Sequence, residues 1–365
     1  MSRAPRVLLS GYYGFGNAGD EAVLAGLIDT FRAAVPEIAI TVASADPEGT
    51  RSLHGVEAFP RFRWRDFCQA LRGSDALVSG GGSLFQDVTS RRSVYYYLGT
   101  LVLAGLCRRP VMICGQGIGP LQAPLARRLT AALLNHARLI TVRDPASVEA
   151  LTALGVVRPP VHLTADPVLA MTPVPPPRAE AILRQAGVDL SRPRVAFALR
   201  EWPAAANALE SWSETVAFVH RELGAQAVLV PLHPPADVAL AARVAERAGV
   251  PTVRLAGGYA PREWPALFGC MDLVVALRLH ALIFAATQGV PLIGVSYDPK
   301  IDGFLRLLDR TPAGDAASIT GEALCRALRN TWEARQAEAQ SLKQKAAHLK
   351  RCALMNGELL SRMLA

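Results

Sequence analysis

Apolar positions along the chain fall into short runs separated by amphipathic stretches. The runs at 6–10 (RVLLS), 38–43 (IAITVA), 75–79 (DALVS), 110–114 (PVMIC), 139–142 (LITV) and 161–164 (VHLT) have the length and apolar content of buried strands. Between them, stretches such as 20–34 and 123–136 repeat apolar residues at helical spacing. The alternation predicts a parallel sheet with helices on both faces. At 172–178 the pattern breaks at "TPVPPPR", whose prolines suit neither a helix interior nor a central strand and read as a stiff spacer. It then restarts, with strands expected at 194–199, 227–232, 251–255, 272–276 and 291–296. The fold class read from this is α/β: two Rossmann-like, doubly wound parallel-sheet domains facing a cleft. Residues 1–171 form the first domain and 179–325 the second, and 326–365 form a basic helical segment. A cleft between two such halves is the expected ligand site.

The 365-residue length suits two such domains. No apolar run approaches the ~18 residues of a membrane span, and the N-terminus lacks the apolar region of a signal peptide, so a cytoplasmic protein is expected. The six cysteines form no C-x-x-C pair and read as reduced core thiols. The histidines show no metal-ligand spacing, and no metal site is expected. The formal charge of +8 suits anionic substrates or an anionic membrane surface, or simply a basic surface. No nucleic-acid motif accompanies it. Seven Lys/Arg against two acids over 326–351, with Leu342, Ala346, Leu349 and Ala353 at helical spacing, describe a terminal helix. Its basic face is either solvated or laid peripherally on a membrane.

Gly14-Phe-Gly16-Asn-Ala-Gly19 matches G-x-G-x-x-G, the dinucleotide fingerprint. The context argues against that use. Gly11-Tyr12-Tyr13 lengthens the turn, and Asp20-Glu21 puts carboxylates where a pyrophosphate would sit. Asp46 also lies beyond the ~20-residue spacing of a ribose-binding acid. The stretch reads instead as a flexible, carboxylate-tipped loop facing the cleft.

Ligands of open α/β sheets lie beyond the carboxyl ends of strands. In the first half those ends carry Gly80-Gly81-Gly82-Ser83 with Gln86-Asp87, Gly115-Gln116-Gly117, and Arg143-Asp144, where Asp144 suits a helix cap. In the second half they carry Arg200, His233 through Asp237, Arg278-Leu279-His280, and Tyr297-Asp298-Pro299-Lys300. Arginines, a lysine and histidines at adjacent strand ends, with a helix opening at His280, suit a small, multiply charged anion. The alternative for Arg278 is an ion pair with an acid such as Asp272.

At these residues the chain resembles a known family, the polysaccharide pyruvyl transferases, and in particular their CsaB-like branch. The matching stretches are "GYYGFGNAGDEAVL", "SGGGSLFQDVTSRRSVYYYL", "GQGIGPL", "ITVRDPAS", "TADPVLAM" and "LRLHALIFAATQGVPLIGVSYDPKI". They run in order through residues 6–305, whereas 306–365 match weakly. The resemblance implies a GT-B-like pair of domains and transfer of pyruvate from phosphoenolpyruvate to a sugar diol as a ketal, with phosphate released. It implies an acceptor such as the N-acetylmannosamine of a lipid-linked cell-wall glycan precursor, from polymers that anchor surface-layer proteins. It assigns Arg278, His280, Arg200, the backbone near Leu279, and Lys300 to phosphoenolpyruvate, with His280 and Lys300 catalytic. His233 joins them as a donor-binding residue. No cofactor is implied, since phosphoenolpyruvate is a substrate. The acceptor is expected against Asn17, Asp20, Glu21, Gly81, Gly82, Gln86, Asp87 and Arg143, with Asp20 either holding a hydroxyl or capping its helix. The competing readings are a GT-B glycosyltransferase using a nucleotide sugar, a noncatalytic glycan-binding protein, and, last, an oxidoreductase.

Overall fold

The computed structural model describes residues 3–88, 90–202 and 208–365; Thr89 of the second quoted motif lies outside them. It divides into two compact units. The first contains seven strands: β1 (Arg6–Ser10), β2 (Ala39–Ser44), β3 (Glu57–Pro60), β4 (Ala76–Gly80), β5 (Val111–Gln116), β6 (Leu139–Val142) and β7 (Val161–Leu163). They pair in parallel in the order β3-β2-β1-β4-β5-β6-β7. The second contains β8 (Arg194–Ala198), β9 (Gln226–Leu229), β10 (Thr252–Arg254), β11 (Leu273–Ala276) and β12 (Leu292–Gly294), also parallel, in the order β10-β9-β8-β11-β12. In each sheet the order reverses once, between β1 and β4 and between β8 and β11. That reversal opens the crevice in which doubly wound folds hold ligands.

The central strands are apolar on consecutive residues because helices cover both faces of each sheet. On one side of the first sheet Leu8, Leu77, Ile113 and Ile140 bury against Phe67, Tyr97, Leu134 and Leu151. In the second unit Val195, Phe197, Leu229 and Val275 bury against Trp212, Val216, Leu240 and Leu324. β3 is absent from the hydrophobic pattern. Its sequence, EAFP, carries a glutamate and a proline, which only an edge strand tolerates.

Two element boundaries differ from the sequence reading. The helix Pro176–Gln185 starts inside the stretch read as a spacer, because a proline in the first turn gives up no hydrogen bond. The basic terminal segment is two helices, Gly321–Glu333 and Arg335–Leu364. Leu342, Ala346, Leu349 and Ala353 are buried, and Lys343, Lys350 and Arg351 are exposed. The units also do not follow chain order. Gly16–Gly19 belongs to the second unit, and Leu349–Ala365 belongs to the first.

Of the six cysteines Cys114 is fully buried and the other five are half-buried, so the five are not the core thiols expected of them. Burial pushes the Cys114 thiol up to about 12. Among the described residues no helix is long and apolar enough to cross a membrane, and no cluster of His, Cys, Asp or Glu gathers as a metal site would.

Asn356 anchors the terminal helix in the first unit. It is wholly buried, its Oδ1 accepts from Thr141 Oγ1 (2.6 Å) and Thr164 Oγ1 (3.1 Å), and its Nδ2 donates to Ala353 O at 2.9 Å. Truncation would leave both threonine hydroxyls without this acceptor. Asn356→Ala is therefore expected to lower stability by about 1–3 kcal/mol. Exposed Glu358→Ala on the same helix should stay within about 0.5 kcal/mol. Thermal and urea unfolding of the two variants check this.

Candidate functional site

The second sheet gathers the expected cations at its carboxyl edge. β8 runs out into Leu199 and Arg200, and β11, its neighbour across the reversal of strand order, runs into Leu277 and Arg278. The two arginines thus follow the strands that flank the crevice. Arg278 is the N-cap residue of the helix Leu279–Thr287, so Leu279 and His280 are its first two residues. The backbone N–H groups of such a first turn have no partner within the helix and favour an anion. β12 leads to the helix Pro299–Leu307, which Asp298 caps by accepting from the N–H of Lys300.

The side chains connect across these loops. Arg278 forms an ion pair with Asp237, not with Asp272, whose partner is Arg194. Asp237 is buried, and its Oδ2 accepts the backbone N–H groups of Leu232 (3.1 Å) and His233 (2.9 Å) while Oδ1 takes the guanidinium. One carboxylate therefore fixes both the loop after β9 and the orientation of Arg278. Among the described residues no acceptor meets the buried Nε of Arg278. Arg200 donates to the Tyr297 hydroxyl at 2.6 Å and lies over its ring, and Lys300 lies near the same ring while pairing with Asp298 at 3.0 Å. Trp202 packs on Tyr297. The strand-end sequence contains Asp237 and Tyr297, but nothing in their spacing shows that they orient these cations.

His233 sits beside Arg278 and Arg200. Partial burial, then the Arg278 charge, hold its imidazole below the ordinary value of 6.5, partly offset by Asp237. His280 lies against Gly19, and its ring approaches that of Phe284. The segment Gly16–Gly19 is tied to the same unit by the N–H of Ala18, which donates to the Leu232 carbonyl at 3.2 Å. Asn17 in this segment accepts the Gly19 N–H at 3.0 Å.

The acceptor candidates of the first unit divide into two groups by what their side chains already hold. Glu21 is buried, accepting the Gly14 N–H at 2.7 Å and meeting His54 Nε2 at 3.2 Å. Asp87 is buried and accepts the N–H groups of Gln122 (2.8 Å) and Ala123 (2.7 Å). Arg143 is buried, paired with Asp166 at 2.7 Å and donating to Ser83 Oγ at 3.0 Å. These three hold loops together and have little surface to offer a sugar.

Gly81 and Gly82 are also buried and have positive φ, and a Cβ on Gly81 would strike Val23. Gln86 is half-buried and accepts the Val88 N–H at 2.9 Å. Asp20 is half-buried. The helix begins at Ala18, so Asp20 lies within its first turn and is not its cap. Asp144 does cap its helix, accepting from Ser147.

The aromatic residues before the glycine motif have a separate role. Tyr13 is buried and donates its hydroxyl to the Gly80 carbonyl at 2.6 Å. Nearby, Arg61 is 4% exposed, donates to the Gly11 carbonyl (2.9 Å) and the Tyr97 hydroxyl (3.2 Å), and is caged by Phe15, Phe62, Tyr96 and Tyr97. Burial pushes the Tyr97 hydroxyl up to about 12, despite the adjacent guanidinium. The sequence reading overlooked this cage; its one sequence signal is the aromatic density around 59–67 and 95–97.

The family model described as polysaccharide pyruvyl transferase matches residues 17–299 of the chain. No curated protein sequence matches it. Several solved structures share its fold. Anabaena Alr3699/HepE in complex with UDP and glucose superposes with a TM-score of 0.66 at 14% identity over 99% of each chain. S. aureus MnaA with UDP gives 0.66 at 10% identity, over 93% of this chain and 91% of that one. The UDP-GlcNAc 2-epimerase of Neisseria meningitidis bound to UDP-GlcNAc gives 0.65 at 10% identity, over 98% and 100%. At these identities the likeness is one of fold: two Rossmann-like domains of GT-B type.

The folded protein binds a proton at His233 less readily than the unfolded chain, so this group's contribution to stability falls as pH drops below 6.5. In an imidazole NMR titration His233 is expected to titrate below 6.5, and higher in Arg278→Met. Inorganic phosphate bound between the arginines should raise it too, so that phosphate affinity increases as pH falls through that range. A His233 value unmoved by both Arg278→Met and phosphate would separate the ring from the cluster.

Proposed function

As the chain belongs to the polysaccharide pyruvyl transferase family, we propose that it transfers the enolpyruvyl carbons of phosphoenolpyruvate to two hydroxyls of a sugar, forming a pyruvate ketal and releasing phosphate. The observation that carries the reading is the pair Arg200 and Arg278, placed after the two strands at the reversal of the second sheet, with the helix carrying His280 opening directly after Arg278. A small enol with a carboxylate at one end and a phosphate at the other matches two guanidinium groups better than it matches a nucleobase or nicotinamide.

Arg278 holds one anionic group, oriented by Asp237, and its buried Nε supplies a donor for which a ligand oxygen is an acceptor. Arg200, steadied by Tyr297, holds the other, and Lys300 offsets charge on the phosphate. The backbone at Leu279 and the helix N-terminus add to the same field. His280 donates a proton to the methylene carbon, making C2 an oxocarbenium-like electrophile. The first sugar hydroxyl adds to C2. Phosphate then leaves with the electron pair of its C–O bond, and the second hydroxyl closes the ring; of the two hydroxyl protons, one restores His280 and the other leaves on phosphate. The cations stabilise the charge that builds on departing phosphate.

On the acceptor side Asn17, Asp20 and Gln86 remain the side chains suited to sugar hydroxyls, with the acceptor an N-acetylmannosamine of a lipid-linked wall-polymer precursor. The exposed Lys343, Lys350 and Arg351 suit peripheral contact with the anionic leaflet that carries such a lipid.

Incubation with phosphoenolpyruvate and a panel of N-acetylhexosamine acceptors tests this. The expected products are an acceptor heavier by a pyruvate ketal and an equivalent of phosphate. Release of UDP from a UDP-sugar, with no ketal, would instead identify a glycosyltransferase, and tight glycan binding without turnover a binding protein. His280→Ala is expected to lose about 10²–10⁴-fold in turnover while retaining donor binding. Arg278→Ala is expected to weaken phosphoenolpyruvate binding by about tenfold to a hundredfold. Steady-state kinetics and donor titration check both, and an unchanged donor affinity in Arg278→Ala would remove it from the anion clamp.

A further inference from the structure

The two later glycines of GFGNAG are glycines for different reasons. Gly16 has φ +69 and open space around it, so its backbone conformation requires the residue. Gly19 has no such requirement. It is the second residue of the helix Ala18–Ala34 and its φ is not positive. Alanine would be the better helix former there by about 1 kcal/mol. What alanine lacks is room. A Cβ on Gly19 would fall on His280 Nδ1 and within 2.5 Å of Cγ and 2.7 Å of Cε1. Three atoms of the ring are involved, including the one joined to the side-chain stem, so no small rotation of a flexible end relieves the clash. The ring is confined from elsewhere too, with Phe284 of its own helix beside it. The Gly19 backbone is itself held, since its N–H donates to Asn17 and the preceding N–H of Ala18 donates to the Leu232 carbonyl, next to His233.

We infer that Gly19 is a positioning residue for His280: its bare Cα is the surface against which the imidazole is seated for proton delivery. The inference rests on the reading of His280 as the proton donor. It assigns the last glycine of the motif to the site of the second sheet.

The test compares Gly19→Ala, His280→Ala and the double variant. In Gly19→Ala, kcat for ketal formation is expected to fall about tenfold to a hundredfold, because misplacing a reacting group by about 1 Å costs that much. KM for phosphoenolpyruvate should change less than about threefold, since the arginines are untouched. The His280 imidazole signals in proton–nitrogen spectra should move while those of His136 stay. In the double variant the loss should be no larger than in His280→Ala alone, and any fall in melting temperature caused by Gly19→Ala should disappear, because removing the ring makes room for the methyl. Unmoved His280 signals with wild-type kcat in Gly19→Ala overturn the inference and leave the acid role standing. Wild-type turnover in His280→Ala overturns the acid role, and with it the catalytic meaning of the contact. Independent melting effects in the double variant overturn the contact itself.

Discussion

A parallel strand cannot return by a hairpin; each must be reached by a crossover, and every strand of the sheet therefore ends at the same edge. This constraint organises both units. It takes residues as distant in sequence as Arg200, His233, Arg278 and Lys300 and delivers each to one rim, without any of them needing to contribute to the core. The helices that perform the crossovers begin at that rim and bring their unpaired N–H groups with them. Charge complementary to an anion thus follows from the topology before any particular side chain is considered, and the side chains refine it.

The refinement has a cost in desolvation that neighbouring acids reduce. Arg278 is set against Asp237 and Lys300 against Asp298, while Arg200 leans on a phenol. None of these cations is held by an acid through both faces of its charge. Asp237 divides its oxygens between two backbone donors and the guanidinium, so it fixes Arg278 without neutralising it fully. The first unit uses its buried ions differently. Arg143 with Asp166, Glu21 with Gly14, and Asp87 with the turn before the helix Pro124–Leu134 are consumed in holding loops. In the function proposed above, residues of the same chemical type thus serve anion attraction in one sheet and loop geometry in the other.

Most strands were legible because two-sided burial writes continuous apolar runs into the sequence. β3 was not, since an edge strand has no such demand and EAFP gives no pattern. The cations of the second sheet were legible from their positions just after apolar runs. Their orienting partners were not. Asp237 stands 41 residues before Arg278 in the chain, and only the fold brings the two together. For the acceptor side, sequence position does not show which side chains are already committed to the backbone. Whether a carboxylate is spent on a backbone N–H depends on tertiary closure, as Glu21 and Asp87 show. The glycine motif was misleading for a related reason: spacing records that the residues are small, and does not say what they are small for.

Each compact unit borrows a piece of chain from the far side of the boundary at Thr172: the second takes Gly16–Gly19, and the first takes Leu349–Ala365. A ribosome therefore releases the residues that finish the first unit only after the whole of the second has been made, and the second unit includes a segment made at the outset. Cutting the gene at that boundary would not yield two self-sufficient halves. Completing both units therefore takes the whole stretch of chain from Gly16 to Ala365.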